Sequence, residues 1–359
     1  MRFRWKLLIL LLLISIGPIA LMRTIGLSSV RQFRDTLIDR VRQNRITSEH
    51  DRMLLIADAH ALVLWEARSQ VEAALMALAA HAEQLLGNQP TAGSRVLFAA
   101  DFDAGVDLPG DTMVSTPHFR QGEKGRMAYL PVSYTEPVFH VSSSVDPASV
   151  AGDIARLSGM RDTFRRLARL LEDSAIWQNI GLANGLFCEF PGHGSIPAAF
   201  DTRHQLWYER AMEGRRPAWT MPFVDPATRQ VVLAAVVPLL QSAEEIAGAA
   251  SIVVPVSRML RNQLFSRNIP ATTRVFMCQL LTRAEVLSKA PDHGAKVLII
   301  AQDKQAEALH RSWRAELAHE WLRSSDSPQF EAFLTDVAAG TSDVRRMRFE
   351  DRDLSLIHI

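Results

Sequence analysis

The chain has 359 residues, 48% hydrophobic and 22% charged, with 40 Lys plus Arg against 39 Asp plus Glu and a formal net charge of +1. At about 150 residues per domain this length allows about two domains, and a chain this apolar is not broadly disordered. The balanced charge gives no electrostatic case for a nucleic-acid partner, and two cysteines exclude both a disulfide framework and a four-thiolate zinc site.

Residues 7–22 form an apolar run broken only by Ser15, Gly17 and Pro18, and Arg2, Arg4 and Lys6 precede it. With Trp5 it approaches the roughly 20 residues that span a bilayer. The positive-inside rule then keeps residues 1–6 in the cytoplasm and sends the rest outside. A cleaved secretory signal is the alternative. Its small-x-small cleavage pattern is weak, because Pro18 follows Ser15-Ile16-Gly17 and Pro18 heads the next candidate. No second span is expected, since residues 231–256 are interrupted by Pro238, Gln241, Glu244 and Glu245.

Residues 28–86 contain no proline and no glycine. Val30, Phe33, Leu37 and Val41, then Val71, Leu75, Leu78, Ala82 and Leu85, recur at helical spacing. This predicts a stalk or coiled-coil helix of about 90 Å at 1.5 Å per residue, with two shorter core helices as the alternative. Gly87, Asn88 and Pro90 end it. Residues 95–102 then read as a strand, 105–129 as a loop, and 129–145 as extended chain. Asp146-Pro147 opens a helix whose apolar stripe is Phe164, Leu167, Leu170 and Leu171.

Next come strands 175–182 and 186–190 around Asn184-Gly185, a hairpin signal, then a loop at 191–194 and a short helix at 205–213. Strands follow at 219–224, 231–240 and 247–256. A helix at 257–265, strands at 273–281 and 296–302, helices at 306–323 and 329–339, and a strand from 345 suggest a second, smaller unit. Helices followed by an antiparallel meander make an α+β fold.

Asp101, Asp103 and Asp107 hint at an oxygen-ligand loop, but Val106 and Thr112 stand where an EF-hand needs glycine and glutamate. His319-Glu320 does not continue as a zinc-protease motif, and no phosphate-binding loop or nucleophile elbow occurs. Cys188 and Cys278 fall on different proposed units, so two buried thiols are expected rather than a bridge. No nucleophile–base pair or metal cluster is recognisable by spacing, so an anchored enzyme is a weak rival reading. The richest stretch runs from Asp201 through Trp207 and Tyr208 to Trp219, Phe223 and Asp225. Its rings could cap a pocket over the following sheet, with Asp225 as a carboxylate at the edge. Trp207 and Trp219 could equally be core.

This stretch resembles the extracytoplasmic double Cache sensor domain. Asp201, Arg203, Trp207, Tyr208, Ala211, Trp219, Thr220, Pro222 and Asp225 match that family's pattern, as does the hairpin around Gly185. The resemblance covers residues 28–353 and implies two PAS-like antiparallel-sheet units beside one long helix, with ligand bound in the membrane-distal unit. It implies a distal unit at 87–262 and a membrane-proximal unit at 263–353, the second incomplete. It also implies a ligand site at Trp207, Tyr208, Trp219, Phe223 and Asp225, with Arg203 structural.

Three departures bear on the ligand. Gln205 stands where amino-acid-binding members have the arginine that grips a carboxylate, and glutamine cannot make that bidentate clamp. Phe223 lacks a hydroxyl, and the run from Gly248 to Val254 has no carboxylate to pair an ammonium. An α-amino acid ligand is therefore disfavoured.

The opening residues, the segments around Asp101 and Pro131, and 344–349 look like bacterial membrane-bound serine/threonine phosphatases of the sporulation-type metal-dependent family. That resemblance implies a cytoplasmic output domain missing from this chain. No cofactor is expected here, and a divalent metal only in that missing domain. The same input on a histidine kinase, diguanylate cyclase or chemoreceptor, or a membrane-anchored binding protein without output, is the alternative. Residues 354–359 are expected to be an artefactual tail and the chain a fragment. The expected setting is the bacterial inner membrane, with a single pass, the bulk periplasmic, and an unknown small molecule, the membrane and a second copy as partners.

Overall fold

A computed structural model describes residues 2–89, 95–121, 127–172, 174–242 and 245–259, together with five later strands and residue 332. Helix α1 (Arg2–Leu86) is continuous over 85 residues, about 130 Å at 1.5 Å per residue. The expected stalk is therefore one helix rather than two, and it begins well before residue 28. It ends where the Gly87 N–H donates to the Glu83 carbonyl and the Asn88 N–H to that of Leu85. Among the described residues no helix is long and apolar enough to cross a membrane. Most side chains of the expected anchor, 7–22, lie outside the described residues.

The expected strand at 95–102 is corrected. After a one-residue bridge from Phe98 to Phe139, the chain turns into helix α2 (Ala99–Ala104). The Asp101 carboxylate accepts the Phe98 N–H at 3.0 Å, and Gly105 closes the helix in the left-handed region. The expected loop at 105–129 is corrected too. Strand β1 (Met113–Gln121) lies there, with an irregularity between Val114 and Phe119 that hides the two-residue period, and it pairs antiparallel with β2 (Met127–Ser133), most of which falls in the stretch expected to be extended. Asp111 ties β2 down by accepting from Ser133 Oγ, Thr135 Oγ1 and the Tyr134 N–H.

Strand β3 (Val138–Val141) leads to a 3-10 turn at Pro147–Val150, capped by Asp146, and to helices α3 (Ala151–Leu157) and α4 (Arg161–Leu171). Phe164, Leu167 and Leu171 are buried as expected, but Leu170 faces solvent at 52% exposure. The sequence period of α4 admits either side for Leu170, and α1 covers only one. Strands β4 (Trp177–Leu182) and β5 (Leu186–Phe190) form the expected hairpin, with Gly185 at φ +85° supplying the turn. The expected loop at 191–194 contains a short strand, β6 (Gly192–His193), which pairs with β2.

Helix α5 (Leu206–Met212) precedes two short strands, β7 (Ala218–Trp219) and β8 (Phe223–Val224), in place of the single expected one. Pro222 has no N–H to continue the ladder. Strands β9 (Val231–Leu240) and β10 (Ile246–Pro255) follow, then helix α6 (Val256–Met259). Seven strands join in one antiparallel sheet in the order β3-β5-β4-β10-β9-β7, with β8 also on β9.

Alternation gives this sheet two faces. Ile180, Leu182, Cys188, Phe190, Ala235, Val237, Ala250 and Ile252 point to one side, against Val71, Leu75, Leu78 and Ala82 of α1 and the apolar faces of α3 and α4. Full burial of each valine, leucine, isoleucine or phenylalanine among them is worth about 1.5–3 kcal/mol. The Gln178 amide donates to the Phe164 carbonyl at 3.1 Å, pinning α4 to the sheet. The other face carries Trp177, Phe187, Ala234, Val236, Ala249 and Val253 under α5. Farther along α1, Val30, Phe33, Leu37 and Val41 are exposed.

Beyond residue 259 the structure describes strands β11 (Phe276–Leu280), β12 (Val297–Gln302) and β13 (Glu320–Trp321), paired antiparallel, and the hairpin of β14 (Asp343–Phe349) with β15 (Arg352–His358). Residues 320–321 are strand rather than the end of an expected helix. Most of the supposed tail at 354–359 pairs with β14. The remainder of the helices expected at 306–323 and 329–339 falls outside the described residues, as do the side chains of this region, Cys278 among them. Cys188 is a free, fully buried thiol.

Candidate functional site

The face of the sheet away from α1 holds a recess between β4, β5 and β10 below and the segment from Ser195 to Trp207 above. Its cavity volume is about 40 Å³. At 10–15 Å³ per water, that is room for about three waters. Phe187, Phe200, Trp207 and Phe223 form apolar walls, while Asn179, Gln205, Glu189 and Asp225 supply polar groups.

Local sequence explains how each wall is placed. Asp201 caps the 3-10 turn Thr202–His204 by accepting the Arg203 N–H at 3.0 Å, and the turn delivers α5. Trp207 then lies over Gly181, whose missing side chain lets the indole and Thr202 approach the strand. The Arg203 guanidinium donates to both Asp201 oxygens, at 2.9 and 2.6 Å, and holds that carboxyl far below the usual range. Arg203 is therefore spent on the turn. Gln205 Nε2 donates to the Asp201 carbonyl at 3.0 Å, so its amide is committed there as well.

Asp225 begins the β8–β9 turn. Its Oδ2 accepts the Thr228 N–H at 2.6 Å and the Thr228 hydroxyl at 2.5 Å. Arg229 closes the turn in the left-handed region, φ 61°. The structure thus brings Trp207, Phe223 and Asp225 to the recess. It does not bring the other two expected residues there. Tyr208 packs edge-on to Trp207 with ring centroids 5.8 Å apart, within the core under α5. Trp219 turns to the stalk, its indole N–H donating to Glu72 Oε1 at 2.8 Å. Burial pushes Glu72 up, but hydrogen bonds from Arg68 and Trp219 outweigh it and hold the carboxyl below its ordinary value.

Sequence reasoning missed Asn179, Phe187, Glu189 and Phe200. Glu189 sits in the middle of β5, opposite Asn179 on β4, and only 6% of it is exposed. Its Oε2 accepts from His193 Nε2 at 2.9 Å. The other ring nitrogen of His193 meets the Gly194 carbonyl. Burial pulls His193 down, but the Glu189 carboxylate beside it prevails and raises it. Burial pushes Glu189 up further than His193 holds it down. The available signal was a glutamate in the middle of an otherwise apolar strand four residues before a histidine.

Trp177 lies between two imidazoles, with centroids 4.2 Å from His193 and 4.4 Å from His118. His118 Nε2 donates to the Ile176 carbonyl at 2.8 Å, leaving Nδ1 to accept from Ser115 Oγ at 2.8 Å. That pattern is a neutral imidazole, and burial pulls its pKa down to about 4. The aspartates of the oxygen-ligand pattern have other tasks, and Asp107 pairs with Arg95 at 3.1 Å. Asp101 caps α2, and Asp103 Oδ1 accepts the Ser195 N–H at 2.9 Å. No grouping of metal-ligating side chains occurs among the described residues.

No protein-family model matches the chain, and no curated protein matches it. Solved structures similar to it are ligand-binding domains of bacterial amino acid chemoreceptors. One is that of the Pseudomonas aeruginosa PAO1 receptor PctB with L-Arg, at 21% identity over 34% of this chain and 50% of that one, TM-score 0.28. Another is that of the Pseudomonas fluorescens receptor CtaA with L-valine, at 21% identity over 35% and 56%, TM-score 0.26. The same receptor with L-leucine matches at 19% identity over 54% and 67%, TM-score 0.33. The chain spans about half the length of the first of these structures. TM-scores this low do not establish a shared fold.

Proposed function

We propose that this chain is the small-molecule-sensing region of a bacterial transmembrane signalling protein, with a Cache-type distal unit lying outside the inner membrane. The observation that carries the reading is the recess itself. Three of the five residues expected at the ligand site, Trp207, Phe223 and Asp225, converge on one concavity lined mainly by apolar side chains with a few polar groups, the general form of a small-ligand site. The unit rests its opposite face on α1. A ligand with unequal affinity for two arrangements of the sheet would shift α1 between them. Trp219, bonded to Glu72, is one physical link.

The output is a cytoplasmic serine/threonine phosphatase domain, a reading that rests on the resembling sequence segments. The exposed stripe Val30, Phe33, Leu37 and Val41 suits a second copy of the helix. The test is a thermal-shift screen of the purified chain against small polar metabolites, repeated with Asp225→Asn and Trp207→Ala. At least one compound raises the melting temperature of the parent, and both variants lose the shift. If nothing in a broad panel shifts the parent, the sensing function is wrong.

A further inference from the structure

We infer that the recess takes a small organic cation lacking a carboxylate, a short primary amine, with Glu189 and Asp225 as its anionic contacts. This rests on the sensing function proposed above and specifies its ligand class.

Charge around the recess decides the class. Among the described lining residues Glu189 and Asp225 are the only ionisable side chains, and none is Lys, Arg or His. The nearby cations are engaged elsewhere. Arg203 is bound by Asp201 and by Ser144, and Arg120 Nε donates to the Ala227 carbonyl at 2.9 Å. His193 bonds Glu189 Oε2 and is not part of the lining. Asp225 and Glu189 are thus the acidic groups that face the recess, with no basic side chain beside them in its lining. A carboxylate or phosphate entering here would face two carboxylates with no arginine or lysine to receive it.

An ammonium group meets the opposite situation. Asp225 spends Oδ2 on Thr228, while Oδ1 accepts no hydrogen bond among the described residues. Glu189 spends Oε2 on His193, and its Oε1 lies 3.2 Å from the Asn179 amide once that amide is turned to donate. Phe187, Phe200, Trp207 and Phe223 line the recess, and an aromatic ring attracts a cation that approaches its face. The size of the recess suits a small ligand. Room for about three waters accommodates about four non-hydrogen atoms, the size of ethanolamine or propylamine. A zwitterionic α-amino acid would need a carboxylate clamp, and Gln205 is already committed to the Asp201 carbonyl.

The test titrates the purified full chain with ethanolamine, propylamine, glycine, L-alanine and acetate, reading melting temperature and heat of binding. An amine binds, and acetate, glycine and alanine bind at least tenfold more weakly or not at all. Glu189→Gln keeps the size of the side chain and lowers amine affinity at least tenfold, with the unliganded melting curve reporting whether the variant folds. Gln205→Arg places a guanidinium at the rim. It lowers amine affinity and raises affinity for alanine, a gain that misfolding cannot mimic. Binding of an α-amino acid or of acetate as tight as that of any amine overturns the ligand class and leaves the sensing function standing. Amine affinity unchanged in a folded Glu189→Gln overturns the assignment of Glu189. Silence across these probes together with the broad metabolite panel overturns the sensing function and this ligand class with it.

Discussion

Gly181 is where the candidate site is most sensitive to a single methyl group. A Cβ built there stands 2.2 Å from Thr202 Oγ1 and 2.9 Å from the tip of the Trp207 ring. Normal contact requires about 1 Å of retreat by a β-branched residue in a capped turn, or a shift of the indole that walls the recess. Overpacking of this kind costs about 1–3 kcal/mol. The φ of Gly181 lies outside the left-handed region, so alanine fits the backbone and regains about 0.4–1 kcal/mol by restricting the unfolded chain. The net expectation for Gly181→Ala is a loss of about 1–2 kcal/mol.

Thr202→Ala supplies the internal control. Thr202 Oγ1 is buried without a hydrogen-bond partner, so removing it costs little. In the double variant the nearest contact of the new methyl with residue 202 relaxes to the threonine Cβ position at 3.2 Å. Urea unfolding of the four proteins, followed by tryptophan fluorescence, should show the double variant more stable than the sum of the singles by about 1 kcal/mol. Additivity to within about 0.5 kcal/mol would refute the packing of the turn on the strand.

Other expectations follow from the same structure. Leu75→Ala in fully buried α1 packing should cost about 2–5 kcal/mol, whereas Leu170→Ala, half exposed on α4, should stay within about 0.5 kcal/mol in the same urea assay. Trp219→Phe removes the indole donor to Glu72 and should cost about 1–2 kcal/mol, with the Glu72 carboxyl titrating higher by NMR. His118 has a folded pKa of about 4, below its usual 6.5. The unfolded chain therefore takes up a proton that the native state refuses, and stability falls as pH drops from about 6.5 towards 4. The gap corresponds to at most about 3.5 kcal/mol. His193 acts in the opposite window, because its raised value contributes stability present below 6.5 and lost as pH rises through the folded value. An imidazole resonance of His118 still neutral at pH 5 would support this placement, and titration near 6.5 would contradict it.

The regular parts of the fold were readable because their signals are local. The hairpin at Asn184-Gly185 and strand 231–240 declare themselves by turn chemistry and by β-branched runs. The helix from Val71 to Leu85 shows a plain stripe. Strand β1 reads as loop because Pro117 and a register irregularity interrupt its alternation, whereas most of β2 falls in the stretch expected to be extended; helix α2 reads as strand because only the Asp101 cap turns it. The site was half legible. Trp207 and Asp225 belong to a linear motif, but which side of α5 faces the recess depends on contacts with Gly181 that no local pattern encodes. Trp219, from the same motif, is claimed by a partner 147 residues away on α1. Glu189 and Asn179 enter the recess only through β4–β5 register, a tertiary fact.

The most direct test of the sensing account is hydrogen exchange of the full chain with and without the compound that most raises its melting temperature. The account predicts slowed exchange in β4 and β5, in residues 200–212, and in the 223–228 turn, with the β1–β2 pair unchanged. Protection elsewhere, with none in those segments, would place the ligand outside the recess and contradict the account.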